Sequence, residues 1–387
     1  MRKLAIVVSH PIQYYAPVFK ALASSQQVIL KVFYTWGADS VSKFDPDFGR
    51  KIEWDLPLLD GYDYTFLDNV SSKPGTSHFR GIITPNAVSV IDKFEPDAIL
   101  VYGWAWQSHL QIIRHFSKKK PVWFRGDSTL LDNTKGLKST IRSLVLRWIY
   151  KKIDLAFYVG TQNRRYFEAF GLKENQLKFA PHSIDNDRFS IDKSSAVGEI
   201  RNRLGISPKA IVILFAGKLE PKKDPFTLLE AFLELRDPNV HLLFVGNGVL
   251  ESELKERSLH SIKNSLIHFM DFQNQGVMPA IYQTCELFCL PSFGPSETWG
   301  LAVNEAMAAG TAVLVSTKVG CSVDLVCEEV NGSIFEAGNK KDLSEKLAKL
   351  TVDVSLLKKM GDASAKIIEN WSFEHQIIPI LDEVQKL

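Results

Sequence analysis

Two acidic residues eight positions apart, Glu297 and Glu305, stand within Leu287–Ser316. There a short apolar run ends at Pro291, a loop of Gly, Pro and Ser follows, and a helix opens near Leu301. The first-turn amides of such a helix have no intrahelical acceptors, and its dipole favours an anion. Gly300 removes a side chain where a ligand would come closest. A loop carboxylate such as Glu297 can accept hydrogen bonds from sugar hydroxyls. Glu305, about one turn into the helix and followed by Ala306, Ala308, Ala309 and Gly310, could reach another. On this window alone, a capping acid and a surface glutamate would explain the same pattern. A second stretch, Leu214–Pro225, delivers Gly217-Lys218 from a strand and Lys223 five residues later, just before another helix. Two ammonium groups beyond a strand end would suit a diphosphate, although a Lys-rich turn is also an ordinary solvated loop. The Gly-x-Gly turn of Val245–Leu250 says nothing by itself.

These residues need elements to hold them. Short apolar, β-branched runs alternate with longer helical patterns, as in parallel βαβ units. Strands are expected at Leu4–Val8, Val28–Tyr34, Ala98–Tyr102, Val122–Phe124, Leu155–Val159 and Leu177–Ala180, then at Ile211–Ala216, Val240–Val245, Leu266–Phe269, Leu287–Leu290 and Ala312–Val315. Helices are expected between them, including Gln107–Phe116, Thr140–Lys152, Phe226–Leu235, Leu301–Ala309 and Leu356–Glu369. Each half therefore reads as a doubly wound α/β domain, and ligands of such sheets sit beyond the carboxyl ends of the strands. The boundary is expected near Phe189–Ile200, giving domains over 1–190 and 191–370. A last helix over 371–387 would pack back on the first domain and be kinked or broken by Pro379. Gly37–Thr76, rich in Asp, Pro and Gly, reads as irregular loops.

Composition sets outer limits. The chain has 387 residues, enough for two domains. Its 46 basic and 44 acidic residues leave a net charge of +2, which argues against nucleic acid as a partner. The four cysteines, Cys285, Cys289, Cys321 and Cys327, form no zinc-type pair and are expected to be reduced. The apolar run Leu4–Val8 is too short for a signal peptide, and no stretch approaches a membrane span. A cytoplasmic protein is expected, with peripheral attachment at the inner face of the membrane as a variant of that expectation.

Taken as an ordered set, Gly217-Lys218…Lys223, Val245-Gly246-Asn247-Gly248, Glu297…Glu305 and Glu305-Ala306-Met307-Ala308-Ala309-Gly310 resemble the retaining GT-B glycosyltransferases of the glycosyltransferase family 4 type, with its E-x7-E element. Phe179–Phe189 is similar to that family's inter-domain motif, and Asn370–Gln376 to the start of its final crossover helix. The resemblance is close over about Leu177–Ser316 and in the C-terminal segment, and loose over the first 150 residues. It implies two facing Rossmann-like domains, with a nucleotide-sugar as co-substrate and no cofactor. Lys218 and Lys223 would neutralise the donor diphosphate. Gly300, Leu301 and Ala302 would offer amides, Glu297 would bind the donor sugar, Glu305 the ribose, and Phe272 would lie near the base. The implied reaction is front-side transfer to the hydroxyl of a sugar or a lipid-linked sugar, with the leaving phosphate oxygen helping to take the acceptor proton. Polysaccharide, lipopolysaccharide or other glycoconjugate synthesis would be the setting.

The first half departs from the pattern. Ser9-His10-Pro11-Ile12-Gln13-Tyr14-Tyr15 stands where a Gly-Gly turn is usual, and Tyr102 where a histidine is common; His182-Ser183 replaces Asn-Gly, and Gly320-Cys321 replaces a later Gly-Gly pair. His10, Gln13, Tyr14, Tyr102, Trp104, Arg125 and Asp127 are acceptor-side candidates by position, His10 and Asp127 catalytic ones. Arg125 and Asp127 read equally as a structural ion pair, and His10 as a loop residue. Asp185-Asn186-Asp187 and Asp45-Pro46-Asp47 match a metal-holding Asp-x-Asp pattern. Lysines and a helix dipole already supply charge compensation, so no metal is expected. Lys135–Lys152 combines basic residues with Leu137, Ile141, Leu144, Val145, Trp148 and Ile149. It could lie on an anionic membrane surface or be a packed helix with a basic solvent face. Other readings of the chain are a GT-B nucleotide-sugar epimerase or phosphorylase, and a non-catalytic nucleotide-sugar-binding protein. The absence of a Gly-x-Gly-x-x-Gly after Leu4–Val8 argues against a Rossmann dehydrogenase.

Overall fold

The computed structural model of the chain describes all residues except 42, 46–49, 53, 133–135 and 296. Pro46 and Asp47 of the second Asp-x-Asp match, and Lys135 of the basic segment, lie outside the described residues. Contacts divide the chain into two units: one of Met1–Lys43, Ile52–His182 and Phe373–Leu387, the other of Phe44–Lys51 and Ser183–Ser372.

The first unit is built on a parallel sheet in the order Asp63–Phe66, Val28–Tyr34, Arg2–Val8, Ala98–Tyr102, Val122–Arg125, Leu155–Tyr158, Leu177–Phe179. Alternation splits its central strand between two cores. Ala5 and Val7 pack with Ile112, Phe116 and Phe124, whereas Leu4, Ile6 and Val8 pack with Val18, Phe19 and Leu22. Burial on both faces is why these strands are continuous apolar runs. The helix Phe373–Gln385 completes the second of these cores through Ile380, Leu381 and Val384. Its residue Glu383 pairs with Lys178 at 3.3 Å. Pro379 does not break this helix, which runs through it. Proline removes a single N–H, the partner of the His375 carbonyl, and a buried face on either side outweighs that loss.

The second unit's parallel sheet has the order Ile267–Met270, Val240–Val245, Ile211–Ala216, Leu287–Leu290, Ala312–Ser316, Gly332–Phe335. One face packs as a single cluster that includes Phe215, Phe244, Leu314, Leu343 and Leu357. The division between units falls earlier than the composition suggested, at His182–Ser183. Ile184 and Phe189 are buried, with the Phe189 ring 5.7 Å from that of Tyr282. Asp185 caps the short helix Asn186–Ser190 by accepting from the Arg188 amide at 3.1 Å, so the first Asp-x-Asp match does structural work. The stretch Phe189–Ile200, expected to hold the boundary, leads into the helix Ser194–Leu204. In Gly37–Thr76, read as loops, Asp63–Phe66 forms the edge strand of the first sheet. Cys285, Cys289 and Cys321 are buried thiols and Cys327 is exposed. No helix among the described residues is long and apolar enough to cross a membrane.

Candidate functional site

The loop after strand Leu287–Leu290 holds Glu297 in a defined place. Its Oε2 accepts from Ser292 Oγ at 2.9 Å and from Lys223 Nζ, and the Glu297 and Lys223 side chains are only 10% and 17% exposed. Lys223 closes the turn Pro221–Lys223 before the helix Pro225–Glu234, which Asp224 caps. Backbone bonds fasten the two loops together: the Lys222 carbonyl accepts from the amides of Phe293 at 2.9 Å and Gly294 at 3.2 Å. Two residues 74 apart in sequence thus share one charged contact beyond the carboxyl ends of adjacent strands.

Gly300 is the N-cap of helix Leu301–Ala308, at φ +97°. A Cβ there would meet Val319 Cγ1 at 2.8 Å, so packing and the left-handed backbone require glycine. Leu301 and Ala302 follow, with amides that precede any intrahelical acceptor. Glu305 is buried and accepts from Tyr282 Oη at 2.8 Å. The surface-glutamate alternative is therefore excluded for this residue. The backbone of the Val319–Cys321 turn braces the loop: Gly320 N donates to the Glu297 carbonyl at 3.1 Å, and Cys321 N to that of Trp299 at 2.9 Å.

Lys218 is half-buried on the turn after strand Ile211–Ala216. That turn lies against the next one so closely that a Cβ on Gly246 would sit 2.1 Å from the Gly217 carbonyl oxygen. Asn247, to which the sequence assigned no role, links three loops. Its backbone carbonyl accepts from Leu219 N at 3.0 Å, its Nδ2 donates to Asp271 Oδ1 at 3.1 Å, and its Oδ1 accepts from Phe272 N at 2.8 Å. Phe272 is held by this side chain. Among the described residues, no three His, Cys, Asp or Glu side chains come together as metal ligands do.

In the first unit, His10 is half-buried, with Nδ1 2.9 Å from Ser9 Oγ and its ring edge-on to Trp36 at 5.1 Å. Gln13 and Tyr14 are half-buried in the turn that leads into helix Ala16–Ser24. Trp104 packs on one of the cores. Tyr102 and Arg125, expected on the acceptor side, are inside the unit. The Tyr102 ring lies 4.9 Å from that of Tyr15 and 5.6 Å from that of Phe19, and burial pushes its phenol up to about 12. Arg125 donates to the carbonyls of Ala180 and Pro181 at 2.8 and 2.9 Å. Asp127 is half-buried, and its charge and that of Arg125 both act on the Tyr15 phenol.

Two buried histidines complete this unit. His109 has Nδ1 2.9 Å from the Gly103 carbonyl, which can only accept, so Nδ1 carries the proton; Nε2 lies 2.8 Å from Thr35 Oγ1. Burial pulls His109 down to about 4, and burial together with the Arg125 charge pulls His182 down to about 3. Both resist protonation when folded but titrate near 6.5 when unfolded. Their contribution to stability is full above about pH 6.5 and is lost as pH falls towards 4 and below. Thermal melts should therefore show the melting temperature falling over this range, and falling less steeply in His109→Gln. An equal slope in the variant would show that His109 is not the cause.

Residues 197–367, less than half of the chain, match the family model described as glycosyl transferases group 1. A D-inositol 3-phosphate glycosyltransferase of Salinispora arenicola is 28% identical over 202 residues, 49% of this chain and 44% of that protein. The chain thus spans about half the length of the curated relatives it matches. Among solved structures, Anabaena Alr3699/HepE in complex with UDP and glucose superimposes with a TM-score of 0.73 at 16% identity, covering 100% of both chains. The sucrose-phosphate synthase of Thermosynechococcus elongatus gives 0.74 at 14% identity, covering 100% of this chain and 99% of that one.

Proposed function

We propose that this chain, which has the GT-B glycosyltransferase fold and matches glycosyl transferases group 1 over its second unit, transfers a hexosyl group from a nucleotide-diphosphate sugar to an acceptor hydroxyl with retention. The reading rests above all on the contact of Lys223 with Glu297, in the loop that leads into helix Leu301–Ala308. An ammonium beside a helix N-terminus suits a leaving diphosphate, and a carboxylate in the adjoining loop suits the sugar hydroxyls.

In the proposed reaction the bond from the anomeric carbon to the diphosphate oxygen breaks, and the acceptor oxygen bonds to that carbon on the same face. The acceptor proton passes to the departing phosphate oxygen, and a nucleoside diphosphate leaves. The transition state is oxocarbenium-like. Lys223, Lys218 and the amides of Leu301 and Ala302 oppose the charge that grows on the leaving group, typically the largest part of such catalysis. Glu305, held by Tyr282, is assigned to the ribose. Phe272, fixed by Asn247, is assigned to the base. His10 and Asp127 are the acceptor-side groups to probe first, and the acceptor is assigned to the class of sugars and lipid-linked sugars of glycoconjugate synthesis.

Donor binding tests this without knowledge of the acceptor, because a ligand of the folded state raises its melting temperature. UDP- and GDP-sugars are the panel to screen by thermal shift and slow donor hydrolysis, with UDP-glucose first since a structural neighbour holds UDP and glucose. One donor should stabilise the protein and be hydrolysed; no shift with any nucleotide sugar would refute the reading. Turnover should survive EDTA, because Lys218, Lys223 and the helix dipole supply the positive charge. Activity lost in EDTA and restored by Mn²⁺ or Mg²⁺ would refute metal independence. Product formed from donor alone, or with inorganic phosphate as acceptor, would instead indicate an epimerase or phosphorylase.

A further inference from the structure

The helix Leu137–Tyr150 of the first unit has two apolar faces. Leu146, Ile149 and Tyr150 point inward and are fully buried. Ile141, Leu144, Val145 and Trp148, spaced i, i+3, i+4 and i+7, form a second stripe and are 63%, 64%, 44% and 44% exposed. The helix is packed and has basic residues on its solvent side, and that side also carries the apolar stripe. The segment 137–152 has no acidic residue, and Arg142, Arg147 and Lys151 are exposed beside the stripe. Trp148 carries two further cations on its ring: Lys152 Nζ lies 4.9 Å and Arg114 Cζ 5.7 Å from the centroid.

We propose that this outer face docks flat on an anionic lipid surface. Four neighbouring apolar side chains, one an indole, suit the boundary between headgroups and acyl chains, where Trp is at home. The cations flanking them suit phosphate headgroups, each adding a modest attraction. Charge decides between occupants. A second copy of the chain meeting the same face would set these cations against their equivalents, which costs free energy. A neutral apolar partner would leave them desolvated and unpaired. An anionic membrane satisfies the stripe and its border together. The proposal does not depend on which sugar the protein transfers, or on whether it transfers one.

The test is co-sedimentation of the full chain with vesicles of phosphatidylcholine alone or mixed with phosphatidylglycerol. Binding is expected only to the mixed vesicles and is expected to fall as salt is raised. Leu144→Ser/Trp148→Ser and Arg147→Glu/Lys151→Glu change exposed side chains, so both variants should melt like the parent. Each should weaken vesicle binding by about tenfold or more. Equal sedimentation with neutral and anionic vesicles, or undiminished binding by either variant, would overturn the proposal. A concentration-dependent dimer in sedimentation velocity that Leu144→Ser/Trp148→Ser abolishes would do so too, by assigning the face to a second copy.

Discussion

Lys223→Ala should lower turnover by at least ~10²-fold, and Glu297→Ala should do the same, the scale of removing one well-placed electrostatic contact from a transition state. The structure adds a constraint that neither residue type implies alone. Because Lys223 Nζ donates to Glu297 Oε2, each variant leaves the other side chain in a largely buried place without its charged partner. Breaking a buried pair in this way often costs about 3–5 kcal/mol of stability, so rates must be compared at temperatures where each variant is folded. In the double variant no buried charge is stranded. Its stability should recover towards that of the parent, while its turnover should be no worse than that of the poorer single variant. Near-parental turnover in either folded single variant would sink the assignment of this contact to catalysis. Ser292→Ala separates the roles further. It removes a neutral donor to the same carboxylate oxygen and should leave the Lys223 contact in place, with a smaller loss, about tenfold or less.

The sheets were legible in the sequence because their strands are buried on both faces. Ile211–Ala216 and Val240–Val245 are wholly buried, and such strands appear as apolar runs, broken in the second only by His241. Asp63–Phe66 lies at the edge and is largely exposed or half-buried, so nothing in its composition separated it from the loops around it. The helix Ser194–Leu204 buries little beyond Ile200 and Arg201. Arg201 is held by carbonyls and by Glu286 rather than by apolar neighbours, a pattern that periodicity cannot register. The loops assigned to the donor carried a readable signal in residue types, but their mutual attachment is long-range. The Lys222 carbonyl bonds and the Asn247 side chain each join segments that are distant in sequence. Tyr102 and Arg125 were misleading for a related reason. Position after a strand suggests access to a ligand, whereas the aromatic packing around Tyr102 and the carbonyls near Arg125 draw both side chains inward.

Gly320→Ala should uncouple the proposed donor site from the rest of the second unit. An added methyl would lie 1.7 Å from the Thr298 carbonyl oxygen and 3.1 Å from the Trp299 amide. Both neighbours are backbone and cannot swing aside as a side chain would, so the loop between Ser292 and Gly300 must shift. Strain of this kind costs about 1–3 kcal/mol, enough on its own to lower the melting temperature by several degrees. Stability alone is a weak readout, since many substitutions reduce it. Gly361→Ala supplies the control: in helix Val354–Ile368 its methyl would meet the Gly310 carbonyl oxygen at 2.0 Å, an equally rigid neighbour beyond the far end of helix Leu301–Ala308. Both variants should melt earlier than the parent. Only Gly320→Ala should also weaken donor binding to the folded protein, by at least about tenfold, or ~1.4 kcal/mol, because it displaces the loop that carries Glu297 and the glycine that caps the helix. Equal donor affinities in the two variants would mean that the loop accommodates the methyl without moving Glu297, and the brace from Gly320 would then be structural only.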